Sequence, residues 1–534
     1  MAFPLALPMG WVESPPYFTA FTETACDLAN SALQVPLSRQ HTTVHRLETV
    51  SNTPPADAEP TFAPIQPCAP APTLHQSGRP PVAGVDVYVD DFLLMAQTRA
   101  QRTKVLRSTL HAIDAVFRPL DPHNPPLRKE PASVKKLLKA DAYWSTTKRT
   151  LGWDLDTVES TLRLPPHRID RLREVLSWLK PPRKRIPTRQ WQQILGKLRS
   201  MSPALPGTRG LFSALQDALS KGDRARVRLN RHIYVVAADF TALVDAVATR
   251  PTRMQELVPP TPSDVGACDA CRWGMGGVWF DVLGDVAPIL WRQAFPTPIS
   301  SALVSSDNPR GTISISDLEL TGVLAHTDVL AHDRDIAERT FWIASDNRAA
   351  IAWANKGSAT SAAVRAHLLR YAALHQRRFR YVSRTHYMPG PVNVMADDAS
   401  RLWHLSDSQL FSHFNTTYPQ AVSWQMLRLP SATNASLIGA LSRTPLLPCG
   451  DLLSKPPTDT RPGLSGRRSV PASASMPPTS PAASTPSLFC NCLPTATGPA
   501  TLLPVVDLSG LVWWKTPYER WARRMPGWGP QTLV

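Results

Sequence analysis

The chain of 534 residues contains few cysteines, no long apolar run and fewer acidic than basic residues. Its seven cysteines are scattered and odd in number, so they lack the regular spacing of a secreted disulfide framework, and a reducing intracellular compartment, cytoplasm or nucleus, is predicted. No run of roughly 18 or more apolar residues occurs, and the apolar start MAFPLALPMGW has no basic region and is interrupted by Pro4 and Pro8. Neither a membrane span nor a signal peptide is therefore expected.

The shortage of acidic residues makes the chain basic. Lys and Arg number 58 against 42 Asp and Glu, which gives a formal net charge of +16. A polyanionic partner, most simply nucleic acid, is the expected consequence. The length suits roughly two to four domains of ordinary size.

Proline is the residue present in excess, with 54 copies. It is concentrated at 51–84 and again from residue 444 onward, in stretches without the periodicity of a packed element. We therefore expect a Pro-rich insertion at 51–84 and a low-complexity, largely disordered tail at 444–534. A short helical extension is predicted before that tail, at 411–443.

Two adjacent carboxylates, Asp90 and Asp91, interrupt the apolar stretch VYVDDFLL at 87–94. The apolar residues on both sides predict a hairpin whose tip carries the two charges while its strands enter a core. Such a tip could hold a metal ion. A solvated turn is the alternative, because Asp is common in turns.

The elements predicted around this hairpin give an α+β arrangement. Apolar residues at three- and four-residue steps predict a helix within 7–33 and another over 99–117, and 148–179 is predicted as strand, turn, strand and helix. The order of these pieces resembles the palm of reverse transcriptases, through LPMGWVESPPYF, the YVDD hairpin, and LGW followed by LPP. WQQILGKLRSMSPALPGTRGLFSAL at 191–215 is similar to the thumb-side connection of tyrosine-recombinase (DIRS-like) retrotransposons.

The resemblance implies a partial palm at 1–180 and a thumb or connection at 181–255, with Asp90 and Asp91 as ligands of the catalytic metal ions. In this family a further Asp lies on a strand before the LPxG turn, and only six residues precede Leu7 here. We therefore expect a polymerase truncated at its N-terminus and ending before the recombinase. RNA-directed DNA synthesis is not expected from this chain alone.

Acidic residues lie on separate predicted elements of the middle region. SDVGACDACRWGMGGVWF is a β-rich run that contains Asp269, and a short strand then runs into a helix that carries Glu319. A buried strand ends at Asp346 and precedes a helix, and a last helix begins near Asp397 and Asp398.

This order resembles ribonuclease H, through DACRWGMGG, SDLELTG, ASDNRAA and NVMADDASR. The resemblance implies an α/β ribonuclease H-like domain at 256–410 that hydrolyses RNA in RNA–DNA hybrids with two Mg²⁺ ions, Mn²⁺ being an alternative. The implied metal ligands are Asp269, Glu319, Asp346 and Asp397. Asp398 remains the alternative to Asp397, which is favoured because the family places its ligand directly after Ala.

Several other residues of this region have two interpretations. His386 could assist proton transfer or product release, or be an ordinary loop histidine. Asn347 could cap a helix or contact the hybrid. Cys268 and Cys271 form a CxxC pair, but a zinc site needs four ligands and no matching pair lies nearby, so both are predicted to be small buried strand residues.

Basic and aromatic residues supply the predicted nucleic-acid contacts. An RNA–DNA hybrid is recognised largely by its shape and its 2′-hydroxyl groups. The residues assigned to binding are Arg272, Trp273, Asn347, Lys356, Arg365, Arg370, Arg377, Arg378 and Arg380, with Arg183, Lys184 and Arg185 from the thumb region. A solvated basic face is the alternative for the last three. The Trp-rich end WWKTPYERWARRMPGWGPQTLV could stack on single-stranded nucleic acid or bind a partner.

These patterns favour a retroelement-derived reverse transcriptase/ribonuclease H-like protein whose surviving activity is cleavage of RNA in hybrids. Its expected partners are an RNA–DNA hybrid or other nucleic acid and other retroelement-encoded chains, with no membrane. A catalytically inactive nucleic-acid-binding remnant is the alternative. Another nuclease or a transposase on the same fold is a third possibility, since fold alone does not determine the reaction.

Overall fold

The structure of the protein is a computed structural model. The residues that it describes are 14–34, 43–48, 83–117, 131–138, 142–220, 225–258, 262–359 and 364–443. All of them belong to one unit, Met1–Leu464. The predicted Pro-rich insertion, up to residue 82, and the predicted tail at 444–534 lie outside the described residues.

Mixed α/β secondary structure makes up this part of the chain. The helices are α1 Ser14–Gln34, α2 Arg99–Phe117, α3 Val134–Leu137, α4 Pro166–Ser177, α5 Thr188–Met201, α6 Phe212–Ser220, α7 Arg231–Thr249, α8 Thr297–Ser301, α9 Ile315–Asp333, α10 Arg348–Lys356, α11 Val364–Phe379, α12 Val394–Arg401, α13 Asp407–Thr417 and α14 Ser431–Leu441. The strands are β1 Ala83–Tyr88, β2 Asp91–Ala96, β3 Thr147–Thr150, β4 Trp153–Asp156, β5 Thr161–Arg163, β6 Arg185–Pro187, β7 Arg226–Arg228, β8 Thr252–Arg253, β9 Asp264–Ala270, β10 Gly274–Asp281, β11 Ile289–Ala294, β12 Thr340–Ser345, β13 Val382–Tyr387 and β14 Gln425–Leu427.

The first part of the chain packs the β1–β2 hairpin against α1 and α2. Tyr88 pairs with Asp91, so Val89 and Asp90 form the turn and Asp91 already begins β2. Both acids therefore lie at the tip of the hairpin as predicted, Asp90 in the turn and Asp91 in the pair that closes it. Val89 has a φ of 58°, which a β-branched residue rarely adopts, and its carbonyl oxygen accepts a hydrogen bond of 2.6 Å from the Thr22 hydroxyl of α1. The two predicted helices that flank the hairpin are confirmed.

Residues 142–258 share one apolar core. β3, β4, β5 and β8 form an antiparallel sheet in that order, and α4 to α7 surround the buried Trp191 and Phe240. Because β8 returns to pair with β5, the predicted boundary at residue 180 falls inside this core. Among the described helices, α7 alone is long and apolar enough to cross a membrane, yet eight of its 19 residues are buried, as expected of a core helix.

A mixed six-stranded sheet organises residues 262–443. Its strand order is β13, β12, β9, β10, β11 and β14. β9, β10 and β11 pair antiparallel, whereas β12 is parallel to β9 and β13, and β14 is parallel to β11. Successive side chains face opposite sides of the sheet. Trp279 and Trp291 therefore enter a core with α9, α11 and α14, while Val278 and Leu290 enter a second core with α12 and α13.

The central helix α9 is buried along most of its length. Its residues 317–331 are all buried, and Ser314 caps its N-terminus through a capping box with Asp317. Asp328 accepts hydrogen bonds from Thr433 of α14 at 2.8 Å and from His375 of α11 at 2.9 Å. These contacts fasten three helices together on one face of the sheet.

The sheet continues past the predicted domain limit at residue 410. β14 is its sixth strand, and α13 and α14 contribute the fully buried Phe414 and Leu437 to its two cores. Helices lie in the predicted helical extension at 411–443, as α13 and α14, and this segment also completes the sheet and both of its helical layers.

Candidate metal centre

Three carboxylates converge at one edge of the six-stranded sheet. Asp269 lies near the end of β9, Asp346 follows β12, and Glu319 lies on the second turn of α9. β9 and β12 are neighbouring parallel strands, so the ends that carry the two Asp residues meet at the same edge. Ligand oxygens of the three residues lie within 4.8 Å of one another. Within the described residues this is the one group of three His, Cys, Asp or Glu side chains close enough to share a metal ion.

The fourth predicted acid, Asp397, lies on α12, and a residue of the same helix links it to Asp269. Arg401 Nη1 lies 2.9 Å from Asp397 Oδ2, and Arg401 Nε lies 3.4 Å from Asp269 Oδ2. Ser400 Oγ donates a hydrogen bond of 2.5 Å to the same Asp269 oxygen. The neighbouring Asp398 instead accepts hydrogen bonds from side chains of α13 and the residues after it, which favours Asp397 as the member of the cluster.

Close contact between α12 and the sheet depends on a glycine of β10. A Cβ on Gly276 would lie 2.7 Å from the carbonyl carbon and oxygen of Ala399. No side chain fits in that space, so Gly276 allows α12 to bring Asp397 against β9.

The electrostatics of the cluster favour a bound cation. Burial, together with the charges of Asp269 and Asp346, raises the pKa of Glu319 to about 10. Burial and the charge of Asp269 raise the pKa of Asp397 to about 6, against the opposing effect of Arg401, and the pKa of Asp346 is raised by the same two causes. Crowded carboxylates of this kind are stabilised by a nearby positive charge.

Unused oxygen atoms in the cluster fit a hard cation. Asp269 Oδ1, Glu319 Oε2 and Asp397 Oδ1 are buried and have no hydrogen-bond partner in the described part of the chain. Buried carboxylate oxygens without a donor are rare, and an ion is one accepted explanation for them. Mg²⁺ and Mn²⁺ both prefer carboxylate oxygen ligands, so this donor set fits either ion.

His386 and Asn347 lie on elements adjoining the cluster. His386 is an exposed residue of β13, not of a loop as predicted, and its ring lies 4.9 Å from that of Trp342. Burial and the charge of Arg384 lower the pKa of His386. Asn347 caps α10, because its Oδ1 accepts hydrogen bonds from the backbone N–H groups of Ala349 and Ala350.

Arg272 and Trp273 form an exposed pair in the turn that follows Asp269. The Trp273 side chain is 59% exposed, and the Arg272 guanidinium lies 5.2 Å from its ring centroid. Lys356, at the end of α10, is also exposed. Arg365 instead pairs with Asp317, at 3.1 Å.

Three of the arginines predicted to bind nucleic acid contact residues of 142–258, and two of them are buried. Arg370 is 3% exposed and pairs with Asp239 of α7, and Arg377 is 2% exposed and donates to the carbonyl oxygen of Ala246. Arg380 Nε donates to Glu256 at 2.8 Å. Each of these guanidinium groups joins two parts of the fold. The prediction is therefore wrong for Arg370 and Arg377, and Arg380 is also paired with an acid. Arg378 remains partly exposed, with its guanidinium over the ring of Phe379.

Of the other predicted basic residues, Arg185 begins a two-stranded ribbon formed by β6 and β7, and Arg183 and Lys184 directly precede it. Arg185 lies directly opposite Arg228, and both are exposed, whereas the pair between Ile186 and Val227 is buried. Exposed residues of this basic ribbon that the sequence interpretation missed are Arg226, Arg228 and, at the start of α7, Arg231. The alternating pattern RVR indicates the exposure of Arg226 and Arg228, because it places both Arg side chains on one face of a strand.

Charge is concentrated around this basic ribbon. Residues 180–231 contain thirteen Lys or Arg and two Asp. Like charges placed directly opposite each other destabilise a β-ladder. The Arg185–Arg228 pair therefore lowers the stability of the ribbon but favours binding of a polyanionic ligand.

In the described part of the chain, the hairpin acids Asp90 and Asp91 do not gather further ligands. Asp91 pairs with Lys136, at 3.1 Å between its Oδ1 and the lysine Nζ, and both side chains are more than half exposed. Neither acid belongs to a group of three ligands among the described residues. Cys268 and Cys271 form no disulfide in the described part of the chain. Cys268 is fully buried in β9, as predicted, whereas Cys271 is partly exposed and follows that strand, so the prediction is wrong for Cys271.

No protein-family model and no curated protein matches the chain. Among solved structures it is similar to the foamy viral protease-reverse transcriptase in complex with an RNA/DNA hybrid, at 12% identity and a TM-score of 0.26, over 57% of this chain and 36% of that one. It is also similar to the foamy viral protease-reverse transcriptase in complex with double-stranded DNA, at 13% identity and a TM-score of 0.30, over 72% and 60% of the two chains. The chain thus spans less than two thirds of the length of these proteins, and similarities this low assign no function by themselves.

Proposed function

We propose that this chain is a retroelement-derived reverse transcriptase/ribonuclease H-like protein whose activity is divalent-cation-dependent hydrolysis of RNA in RNA–DNA hybrids. One observation carries the proposal. Asp269, Glu319 and Asp346 bring ligand oxygens within 4.8 Å of one another from two strands and a helix, and Asp397 is joined to them through Arg401.

The residues of the chain have separable tasks in this reaction. A bound divalent cation would activate water and stabilise the charge that develops on the leaving oxygen. The four acids would hold Mg²⁺ or Mn²⁺, and the capped N-terminus of α10 fixes Asp346. His386, whose pKa is lowered by burial and by the charge of Arg384, would assist proton transfer or product release.

Substrate binding is assigned to two exposed regions. Trp273 and Arg272 would stack on and pair with the nucleic acid directly beside Asp269. Lys356 and Arg378 offer further positive charge on the same part of the chain. The basic ribbon would contact phosphates without reading sequence.

RNA-directed DNA polymerase activity is proposed as ancestry only. Asp90 and Asp91 have no third acid within reach in the described residues, and nucleotidyl transfer needs a fuller carboxylate set. An intracellular location and association with other retroelement-encoded chains are consistent with this origin.

A second candidate function is nucleic-acid binding without turnover. The basic ribbon favours it, because that surface does not depend on the acidic cluster. A nuclease or transposase acting on duplex DNA is the third.

Incubating the full-length chain with a labelled RNA–DNA hybrid and Mg²⁺ or Mn²⁺ tests these candidates. We expect RNA cleavage that disappears with chelator and falls at least about 100-fold in Asp269→Asn and Asp346→Asn. Asp307→Asn, an exposed acid outside the cluster, is the matched control. Salt-sensitive binding without cleavage would select the second candidate, nucleic-acid binding without turnover. Cleavage of duplex DNA but not of hybrids would select the third candidate, a nuclease or transposase that acts on DNA.

A further inference from the structure

Arg401 introduces a positive charge into the acidic cluster. It is the last residue of α12, one turn after Asp397, and its Nη1 lies 2.9 Å from Asp397 Oδ2. Its Nε lies 3.4 Å from Asp269 Oδ2. One guanidinium therefore bridges two carboxylates that come from α12 and β9.

The bridge uses one oxygen of each carboxylate and leaves the other unused. Asp269 Oδ2 is further occupied by the hydroxyl of Ser400. By contrast, Asp269 Oδ1, Asp397 Oδ1 and Glu319 Oε2 are buried without a hydrogen-bond partner in the described residues. Arg401 thus contacts one oxygen of Asp269 and one of Asp397, while three other carboxylate oxygen atoms of the cluster remain open to a cation.

Formal charges show that two ions and Arg401 together exceed what the cluster needs. Its four acids carry four negative charges when ionised. One divalent ion and the guanidinium supply three positive charges, whereas two divalent ions and the guanidinium supply five. The surplus is repulsive at separations of a few Å. Since the Arg401 side chain is 53% exposed, it is free to turn toward solvent on its long stem.

We propose that Arg401 is a positioning residue that keeps the second cation position closed until a phosphodiester arrives. Without substrate, Asp269, Glu319 and Asp346 bind one divalent ion, and Arg401 retains Asp397. A phosphate group offers the guanidinium a bidentate partner, which draws it away and frees Asp397 Oδ2. This inference rests on the proposed function, because it requires the cation and the substrate of that site.

Calorimetric titration of the full-length chain with Mn²⁺ alone tests the inference. We expect one ion per wild-type chain and two in Arg401→Gln, with the second bound about tenfold or more tightly than in wild type. Arg401→Lys keeps the charge and is expected to bind one ion. Arg310→Gln removes an exposed charge elsewhere in the same part of the chain and should resemble wild type.

Equal stoichiometry and affinity in wild type and Arg401→Gln would overturn the inference. So would loss of Mn²⁺ binding in a folded Arg401→Gln chain, because Arg401 would then only support the ligands. If Arg401→Gln does not fold, two tightly bound ions in Arg401→Lys are the overturning result.

Hybrid cleavage, assayed separately, distinguishes this inference from the proposed function. The expected ion binding without cleavage would overturn the proposed hydrolysis and leave only the closure of the second cation position by Arg401 intact. Absence of Mn²⁺ binding by the wild-type chain would overturn both.

Discussion

Arg370 of α11 and Asp239 of α7 form a buried, two-point ion pair that joins residues 262–443 to residues 142–258. The arginine Nε and Nη2 lie 2.5 and 2.7 Å from the two carboxylate oxygens, and the exposed fractions of the two residues are 3% and 0%. A charge pair desolvated to this extent contributes little by itself, yet removing one partner leaves the other buried charge without this counter-charge.

Asp239→Asn should therefore destabilise the chain by about 3–5 kcal/mol, measured by denaturant unfolding. Asp245→Asn is the control on the same helix, because Asp245 pairs with Arg173 in an exposed position and should cost less than about 1 kcal/mol. The double variant with Asp239→Leu and Arg370→Met should recover much of the loss. Similar effects from Asp239→Asn and Asp245→Asn would contradict this account.

Gly276→Ala should impair the acidic cluster from a distance. The new methyl group would overlap the backbone of Ala399, push α12 away from β10 and withdraw Asp397, with a stability loss of about 1–3 kcal/mol and a loss of hybrid cleavage. Gly196→Ala, at an exposed position of α5 with nothing within 4 Å, should instead stabilise the chain by about 0.5–1 kcal/mol. Cleavage at the wild-type rate by Gly276→Ala would show that the close contact is dispensable.

Glu319→Gln should separate stability from cation binding. Because burial and the charges of Asp269 and Asp346 raise the pKa of Glu319 to about 10, this carboxyl must take up a proton on folding near pH 7. Gln avoids that cost, so the cation-free variant should unfold at a higher temperature than wild type. Added Mn²⁺ should raise the unfolding temperature of wild type and leave the variant nearly unchanged. A variant that is less stable than wild type without Mn²⁺ would argue against repulsion in the cluster.

The basic ribbon should control the salt dependence of nucleic-acid binding. Replacing both Arg185 and Arg228 with Gln should weaken binding of a hybrid and lower the slope of log K against log salt by about 2, one for each charge that contacts a phosphate. Fluorescence anisotropy at several salt concentrations measures that slope, with Arg310→Gln as the control. An unchanged slope would mean that the nucleic acid binds elsewhere.

His326 should make the fold sensitive to acid. Its ring is fully buried, stacked on Trp279 at 4.0 Å, and accepts a hydrogen bond from Trp291, and burial holds its pKa well below the usual value. The unfolded chain binds a proton near pH 6.5 that the folded chain does not. The free energy of unfolding is therefore unaffected by protonation of this group above about pH 6.5. Below that pH it falls by up to about 1.4 kcal/mol per pH unit, because only the unfolded chain binds the proton.

Denaturant unfolding between pH 7.5 and 5 measures the contribution of His326 to this loss of stability, as the difference between wild type and His326→Gln. The wild-type chain should lose more stability over that range. Equal losses would assign the acid sensitivity to other groups.

The acidic cluster was predictable from sequence because each ligand is marked locally. Asp269 and Asp346 follow strand patterns, and Glu319 follows a helix cap, so short segments suffice to find them. The roles of Arg370 and Arg377 were not predictable in this way. Their partners, Asp239 and Ala246, are 131 positions away, and no local pattern distinguishes a buried arginine from one that faces a ligand.

The hairpin shows a related limit. The composition of VYVDDFLL predicts two strands, but one residue of register decides whether Asp91 lies in the turn or on β2. Similarly, the three residues of β14 are too short for periodicity, and only the neighbouring edge of β11 makes them a strand.

The position of α9 has a consequence for the order in which the acidic cluster is assembled during synthesis. Glu319 is translated well before α14, yet α9 stays without one of its covering helices until residues 431–441 have left the ribosome and Thr433 can bond Asp328. An emerging chain that already contains all four acids therefore lacks a firmly held cluster, so a nascent protein stopped shortly after residue 401 should bind cations poorly.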